Sequence, residues 1–265
     1  MPSFSFEKEK DAIPIARVKG GLNDGELLYL RDDKTGKKRV DLGEDGLFEL
    51  LPTTDPKKRE VWYIAGQSGS GKSYVARGLA AFYKKLFPER NVYLVSKLDK
   101  DDTLDALKFL KRLSIRSFMD DYPELDEFTD CMVIFDDFDT LDKDAYKVVH
   151  KLIEDLAIMG RHTNTTMLIL SHFLTNYKAT RLILSEATHI VVYPMSTSYH
   201  ALRHLIRGYV GVDEADLSRH RLLGSRWLCY KKGHPMWLCS QHLAEILFDI
   251  DTSAAGAKLK AEGKL

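Results

Sequence analysis

The stretch Val61-Trp62-Tyr63-Ile64-Ala65-Gly66-Gln67-Ser68-Gly69-Ser70-Gly71-Lys72-Ser73-Tyr74 decides the fold. Its first five residues are apolar without alternation, as in a strand covered on both faces. From Ser73 to Phe87, Val75, Leu79, Phe82 and Leu86 recur at helical spacing, and Pro88 closes the run. Between strand and helix, Gly66 to Ser73 satisfies G-x-x-x-x-G-K-[ST] in full. Glycines there let the backbone turn its N–H groups inward on an anion, and the helix start adds its positive end. Gly66, Gln67, Ser68, Gly69, Ser70 and Gly71 are therefore expected to wrap the phosphates of ATP, with Tyr74 completing the nucleotide-contacting stretch. Lys72 is expected to reach the β- and γ-phosphates and the Ser73 hydroxyl to take one place on Mg²⁺. A plain Gly-Ser turn would share the composition but would not require this strand and this helix on its two sides.

Further apolar runs follow at Asn91–Val95, Cys131–Phe135, Thr166–Leu170 and His189–Tyr193. Helical patterns lie between them at Thr103–Leu113, with Leu104, Leu107 and Leu110 on one side, at Lys143–Met159 ended by Gly160, and at Arg181–Ser185. Strands alternating with helices predict an α/β protein of three layers around a mostly parallel sheet. Ligands of such sheets sit beyond the carboxyl ends of the strands. There the run from Cys131 ends in Asp136 and Asp137. Asp136 is expected to partner Mg²⁺, and Asp137 to orient or deprotonate the attacking water; capping the next turn is the plainer reading of Asp137. His172, after the Thr166–Leu170 run, is placed to sense the γ-phosphate or the lytic water, where a surface histidine is the alternative. Arg161 and Arg181 are candidates for an arginine that reaches a neighbouring subunit's phosphates, against the ordinary reading of a solvated arginine.

Both ends carry additions. Residues 1–57 read as a small β-rich region with strands at Ala12–Val18, Glu26–Arg31 and Lys38–Leu42, a turn at Asp32–Gly36, and an end at Pro52–Pro56. The ATP-binding unit then spans 58–249, closing with helical stretches at Tyr199–Tyr209 and Asp213–Leu222 and a hairpin of Arg226–Lys231 with Pro235–Cys239 across Lys232-Gly233-His234. The tail 250–265 is Ala, Gly and Lys with little to pack, and is expected to be flexible. His200 and His204 are spaced for a shared metal, but an exposed helix face explains them better. Cys229 and Cys239 are expected to face each other as buried thiols, and Lys84, Lys85 and Arg90 to form a solvated edge.

Bulk properties set the class. The 265 residues are 44% hydrophobic and 29% charged, and 39 basic residues balance 39 acidic ones, which speaks against a protein that coats nucleic acid or membrane by charge alone. Three cysteines with no C-x-x-C pair speak against a disulfide framework or zinc knuckle. The opening MPSFSFEKEKD lacks the apolar core of a signal peptide, and no run approaches a membrane span, so a soluble intracellular protein is expected.

Taken in order, Gly66–Ser73, Ile134-Phe135-Asp136-Asp137, and Gly160-Arg161-His162-Thr163-Asn164 through Ser171-His172 to Arg181 are similar to the genome-packaging ATPases of large double-stranded DNA viruses. Val95-Ser96-Lys97-Leu98-Asp99 with Leu104-Asp105 adds to the likeness. Over about residues 58–195 the chain resembles the poxvirus-like branch of the FtsK–HerA superfamily of P-loop NTPases. That resemblance implies a RecA/FtsK-like (ASCE) core with an extra strand between the phosphate-loop strand and the metal strand. It also implies a homo-oligomeric ring that uses ATP to drive double-stranded DNA into a preformed capsid. Capsid vertex proteins would be partners, and the host cytoplasm (a viral factory) or the virion the location. A cellular FtsK/HerA-like or AAA-like translocase in the cytoplasm, and a slow nucleotide-dependent switch, are the other readings of the same residues. Where these families often carry Gln or Asn, the sensor position here is His172.

Overall fold

The computed structural model describes residues 1–32 and 36–248. The tail expected to be flexible, and most of the turn expected at Asp32–Gly36, lie outside these residues. In chain order, β1 (Pro2–Ser5), β2 (Ile13–Lys19) and β3 (Leu27–Asp32) precede β4 (Arg39–Asp41) and β5 (Leu47–Leu50). Next come β6 (Val61–Ala65), α1 (Lys72–Leu86), β7 (Val92–Ser96), β8 (Leu110–Leu113) and α2 (Ile115–Asp120). Then follow β9 (Met132–Asp136), α3 (Lys143–Met159), β10 (Thr166–Ser171), α4 (Tyr177–Glu186) and β11 (His189–Val192). The described chain closes with α5 (Tyr199–Leu205), α6 (Glu214–Arg221), β12 (Leu228–Lys231), β13 (Met236–Ser240) and β14 (Leu243–Phe248).

These strands make a four-stranded antiparallel sheet, β1-β3-β2-β5, and a ten-stranded sheet, β4-β14-β13-β12-β11-β6-β10-β9-β7-β8. From β11 to β8 the large sheet is parallel, and β12, β13, β14 and β4 extend it antiparallel. Strand β10 lies between β6 and β9, where the resemblance implies an extra strand. Every residue of β6, β9 and β10 is buried, which is why their sequences do not alternate.

Two apolar clusters, one on each face, make the layers. On one face Tyr63, Val133, Phe135 and Ile169 meet Val149, Leu152 and Leu156 of α3, Ile183 of α4 and Leu202 of α5. On the other, Trp62, Ile64, Ile134 and Leu168 meet Leu79, Ala80 and Tyr83 of α1 together with Phe4, Ile15, Val18 and Phe48 of the small sheet. The small sheet therefore shares the side of α1. Helix α3 begins where the Asp142 carboxylate accepts the N–H groups of Asp144 and Ala145. It ends at Gly160, where a Cβ would stand 2.4 Å from the Leu156 carbonyl oxygen.

The helix expected over Thr103–Leu113 is not there. Asp101 Oδ1 accepts the N–H groups of Thr103 and Leu104, and the N–H groups of Leu107 and Leu110 bond to the carbonyls of Leu104 and Leu107. Consecutive turns satisfy the same three-residue spacing as a helix, and Leu110–Leu113 then pairs with β7 as an edge strand. Helix α4 starts earlier than the expected Arg181–Ser185, while β1, β5, β14 and α2 carried no reading in the sequence. Cys229 and Cys239 are register partners in the hairpin, both buried free thiols. His200 and His204 are exposed on α5. Among the described residues no helix is long and apolar enough to cross a membrane.

Candidate nucleotide and metal site

β6 delivers the chain to Gly66, whose N–H donates to the Ser171 carbonyl of β10 at 3.0 Å. A Cβ at Gly66 would lie 2.6 Å from Cδ2 of Tyr193 and 2.8 Å from Oγ of Ser70, so only glycine fits. Gly69 (φ 74) and Gly71 (φ 112) take left-handed conformations that curl the loop onto the start of α1. Lys72 is buried and folds back over the loop, its Nζ donating to the carbonyls of Gly66 at 2.9 Å and Gln67 at 3.2 Å. Burial lowers its pKa, while the carboxylates of Asp137, Asp136 and Asp139 oppose that. Ser73 is half-buried on the first turn of α1, and Tyr74 beside it is exposed.

Arg226, from the segment before β12, grips the loop from outside. Its Nε donates to the Ser70 carbonyl at 2.9 Å and its Nη2 to the Gly69 carbonyl at 3.4 Å. No motif marks Arg226 in the sequence, because its partner lies some 156 residues away.

The carboxylates stand at the same mouth. Asp136 ends β9, opposite Ser96 of β7 in register, and is only 2% exposed. Burial holds its carboxyl up at about 7, with Asp137 and Asp101 adding to the rise and Lys72 and His172 opposing it. A desolvated carboxylate facing other acids fits a hard cation with oxygen ligands, and the Ser73 hydroxyl is of the same donor type. Asp136 and Ser73 are the residues that would hold Mg²⁺. The next residue, Asp137, takes φ 52, a left-handed conformation that aspartate tolerates better than most side chains. Its Oδ1 lies 2.6 Å from Nε2 of His172 at the tip of β10. Asp139 fixes that tip: its Oδ2 accepts the His172 N–H at 2.7 Å and the Ser171 hydroxyl at 2.9 Å. Sequence reasoning left Asp139 without a role, although its place two residues after Asp137 was a usable signal.

The structure thus brings together Gly66 to Ser73, Asp136, Asp137 and His172. Arg161 is elsewhere. It is exposed in the turn after α3, just before β10, whose Met167 pairs with Val61 at the start of β6. Gly66 follows the other end of that five-residue strand, a length of about 16 Å at ~3.3 Å per residue. Arg181 is exposed on α4.

No family model matches the chain. It is 32% identical over 241 residues to the uncharacterized protein V3 of the Sputnik virophage, a match that covers 90% of this chain and 97% of that one. Among solved structures, the pCW3 conjugation coupling protein TcpA, in its monomer form with ATPγS, matches 95% of this chain and 82% of that chain. Its TM-score is 0.50 at 15% identity, a likeness of fold. The genome-packaging NTPase B204 of Sulfolobus turreted icosahedral virus 2, in complex with ATPγS, matches 73% of this chain and 100% of that chain, with a TM-score of 0.45 at 13% identity. The α/β architecture expected from the sequence, with its mostly parallel sheet and small antiparallel addition, is borne out, and it is the fold that the chain shares with TcpA.

Proposed function

The chain belongs to the family of the Sputnik virophage protein V3, and from that premise we propose that it is a Mg²⁺-dependent ATPase that moves double-stranded DNA into a preformed capsid. One observation carries this reading: a complete phosphate loop opens at the same mouth as Asp136, Asp137 and His172. Bound triphosphate takes the loop N–H groups, and Lys72 exchanges the carbonyls of Gly66 and Gln67 for the β- and γ-phosphate oxygens. Mg²⁺ held by Ser73 and Asp136 supplies charge neutralisation on those oxygens. Asp137 accepts the proton of the attacking water, and His172 holds Asp137 in place through the 2.6 Å contact. Because Asp139 clamps the backbone of His172, a change at the γ-phosphate reaches β10 directly.

Arg161 lies away from its own chain's loop, which supports a role in a neighbour's site over one in its own, with Arg181 as the competing candidate and a solvated arginine as the ordinary reading of either. A homo-oligomeric ring is the assembly this requires, and capsid vertex proteins are the partners of packaging in a host cytoplasm or virion. The viral relative and the sequence resemblance support packaging over a cellular translocase. The test is the ATPase rate with and without duplex DNA, read beside the mass of the assembly. A DNA-stimulated oligomer supports the motor, and a monomer indifferent to DNA points to a nucleotide-dependent switch. Mixing Arg161→Ala with Lys72→Ala chains should restore part of the activity, and absence of restoration removes the role of Arg161 in trans.

A further inference from the structure

A groove of about 360 Å³ runs along α1 between that helix and the strands β2 and β5, and nothing in the hydrolytic chemistry uses it. Four basic residues line it, Arg17, Lys19, Arg77 and Lys85, against a single carboxylate, Glu49. Arg17 at 2.6 Å and Lys19 at 3.5 Å already share Glu49. Arg77 and Lys85 are exposed and enter no ion pair among the described residues. Between these charges the floor is apolar, built from Val75, Ala81 and Phe82 of α1 with Leu50 and Trp227. An apolar floor inside a basic rim suits a protein segment that carries carboxylates around a hydrophobic side chain.

The chain carries such a segment itself. Asp120-Asp121-Tyr122-Pro123-Glu124-Leu125-Asp126-Glu127-Phe128-Thr129-Asp130 holds six acids and neither lysine nor arginine. All six acids are exposed, and only Asp130 enters an ion pair among the described residues, with Arg90 at 3.0 Å. Met119 stands just ahead of them at 48% exposure. The strip also has a fixed shape. Phe118 and Phe128 are buried in the core, the Tyr122 hydroxyl donates to Asp155 of α3 at 2.7 Å, and the Glu124 N–H donates to the Glu127 carboxylate at 2.9 Å. A segment held in this way gives up little freedom when it docks.

Groove and strip lie on opposite faces of the large sheet. Phe118 and Phe128 anchor the strip on the face that α3 covers, whereas the groove is on the face of α1 and the small sheet. One chain cannot bring the two together. We propose that the groove receives the acidic strip of a second copy of this chain, with Asp120–Asp130 docking between α1 and the small sheet. Because the two surfaces differ, the contact is head-to-tail, and contacts of that kind close into rings when the rotation allows. The proposal rests on the reading of the chain as a ring-forming motor and names the surfaces that join its subunits. It gives the small N-terminal sheet a part in assembly, as one wall of the groove. Duplex DNA would meet the same positive charges, but its phosphates leave the apolar floor unfilled.

The experiment exchanges charge and reads the mass of the full chain's assembly by sedimentation, with and without ATP. Arg77→Glu with Lys85→Glu makes the groove negative, and Asp121→Lys with Asp126→Lys makes the strip positive. Each double variant alone should assemble about a hundredfold more weakly than the unmodified chain, because like charges then face each other. Mixed in equal amounts, the two should assemble again, since each reversed surface meets a reversed partner and each native surface a native one. Recovery on mixing separates a lost contact from a lost fold. Unchanged assembly in both double variants overturns the inference and leaves the ring standing, as does failure to recover on mixing variants that melt with the unmodified chain. Loss of duplex DNA binding by the groove variant with its assembly intact also overturns it, and assigns the groove to nucleic acid. If the unmodified chain is monomeric with and without ATP, the ring itself fails and this inference with it.

Discussion

Replacing Asp137 with asparagine isolates the charge that the proposed chemistry depends on. The residue sits at φ 52, a conformation asparagine adopts as readily as aspartate, so the backbone has no reason to move. The amide retains an oxygen to accept from Nε2 of His172, now at 2.6 Å from Oδ1. Both side chains are partly open to water, at 24% and 27% exposure, so weakening their contact should cost less than about 1 kcal/mol of stability. Nucleotide binding should hold or tighten, because a negative charge beside Lys72 and the γ-phosphate has gone. The chemical step loses its base, which typically contributes 10²–10⁴ in rate, or about 3–5 kcal/mol of barrier. Single-turnover phosphate release at saturating ATP measures that step, with nucleotide titration and thermal melting on the same preparation. Release within about threefold of the unmodified rate would refute the reasoning, since general-base catalysis is not worth so little. A parallel loss of melting temperature would show that the charge holds the fold rather than the water.

Three further outcomes follow from the geometry. Arg226→Gln should raise the KM for ATP by about tenfold with little change in kcat, since it frees the carbonyls of Ser70 and Gly69 and loosens the loop without touching the reacting atoms; Arg226→Lys, keeping one donor, should recover part of the loss. Gly66→Ala should lower the melting temperature by the equivalent of about 1–3 kcal/mol of overpacking against Tyr193 and abolish tight ATP binding, and a stable, ATP-binding variant would mean the loop is laxer than its contacts indicate. Burial holds His220 down at about 4, against 6.5 in the unfolded chain, so between those values the unfolded chain takes up a proton that the folded one refuses and stability falls as pH falls. Denaturant unfolding at pH 6.5 and 5 should show the unmodified chain losing up to about 1.4 kcal/mol per unit more than His220→Gln, and equal slopes would place the histidine in a solvated setting.

What the sequence made legible was local. The strand before Gly66, the loop itself and the carboxylates after Phe135 are each recognisable within about ten residues, because continuous burial and phosphate wrapping impose their residue types at fixed spacing. Lys143–Met159 could be bounded to the residue because Asp142 caps one end and Gly160 the other. Thr103–Leu113 misled for a physical reason: turns of period three and a helix of period 3.6 look alike over so short a segment. Strand β14 went unread because its turn, Gln241-His242, carries neither glycine nor proline, and β4 joins it only through partners about 200 residues away in the chain. Arg226 acts through a tertiary contact that no spacing encodes, and Asp139, although only two residues from Asp137, acts through its contacts with Ser171 and His172.

Those long-range contacts also link the small sheet to the loop. Strand β4 completes the edge of the large sheet against β14, and the Phe48 N–H of β5 donates to the Gln241 carbonyl at 2.7 Å. The side chain of the same Gln241 accepts the Arg226 N–H at 2.7 Å, and the Arg226 guanidinium ends on Ser70 and Gly69. A hydrogen-bonded path thus runs from the N-terminal strands to the outer face of the phosphate loop. Asp139 and His172 tie Asp137 to β10. The loop is therefore held by Arg226 and, at Gly66, by the Ser171 carbonyl of β10, elements that the phosphate motif does not contain. Rigidity of this kind matters because polar groups already fixed in place need less reorganisation when a charged ligand arrives.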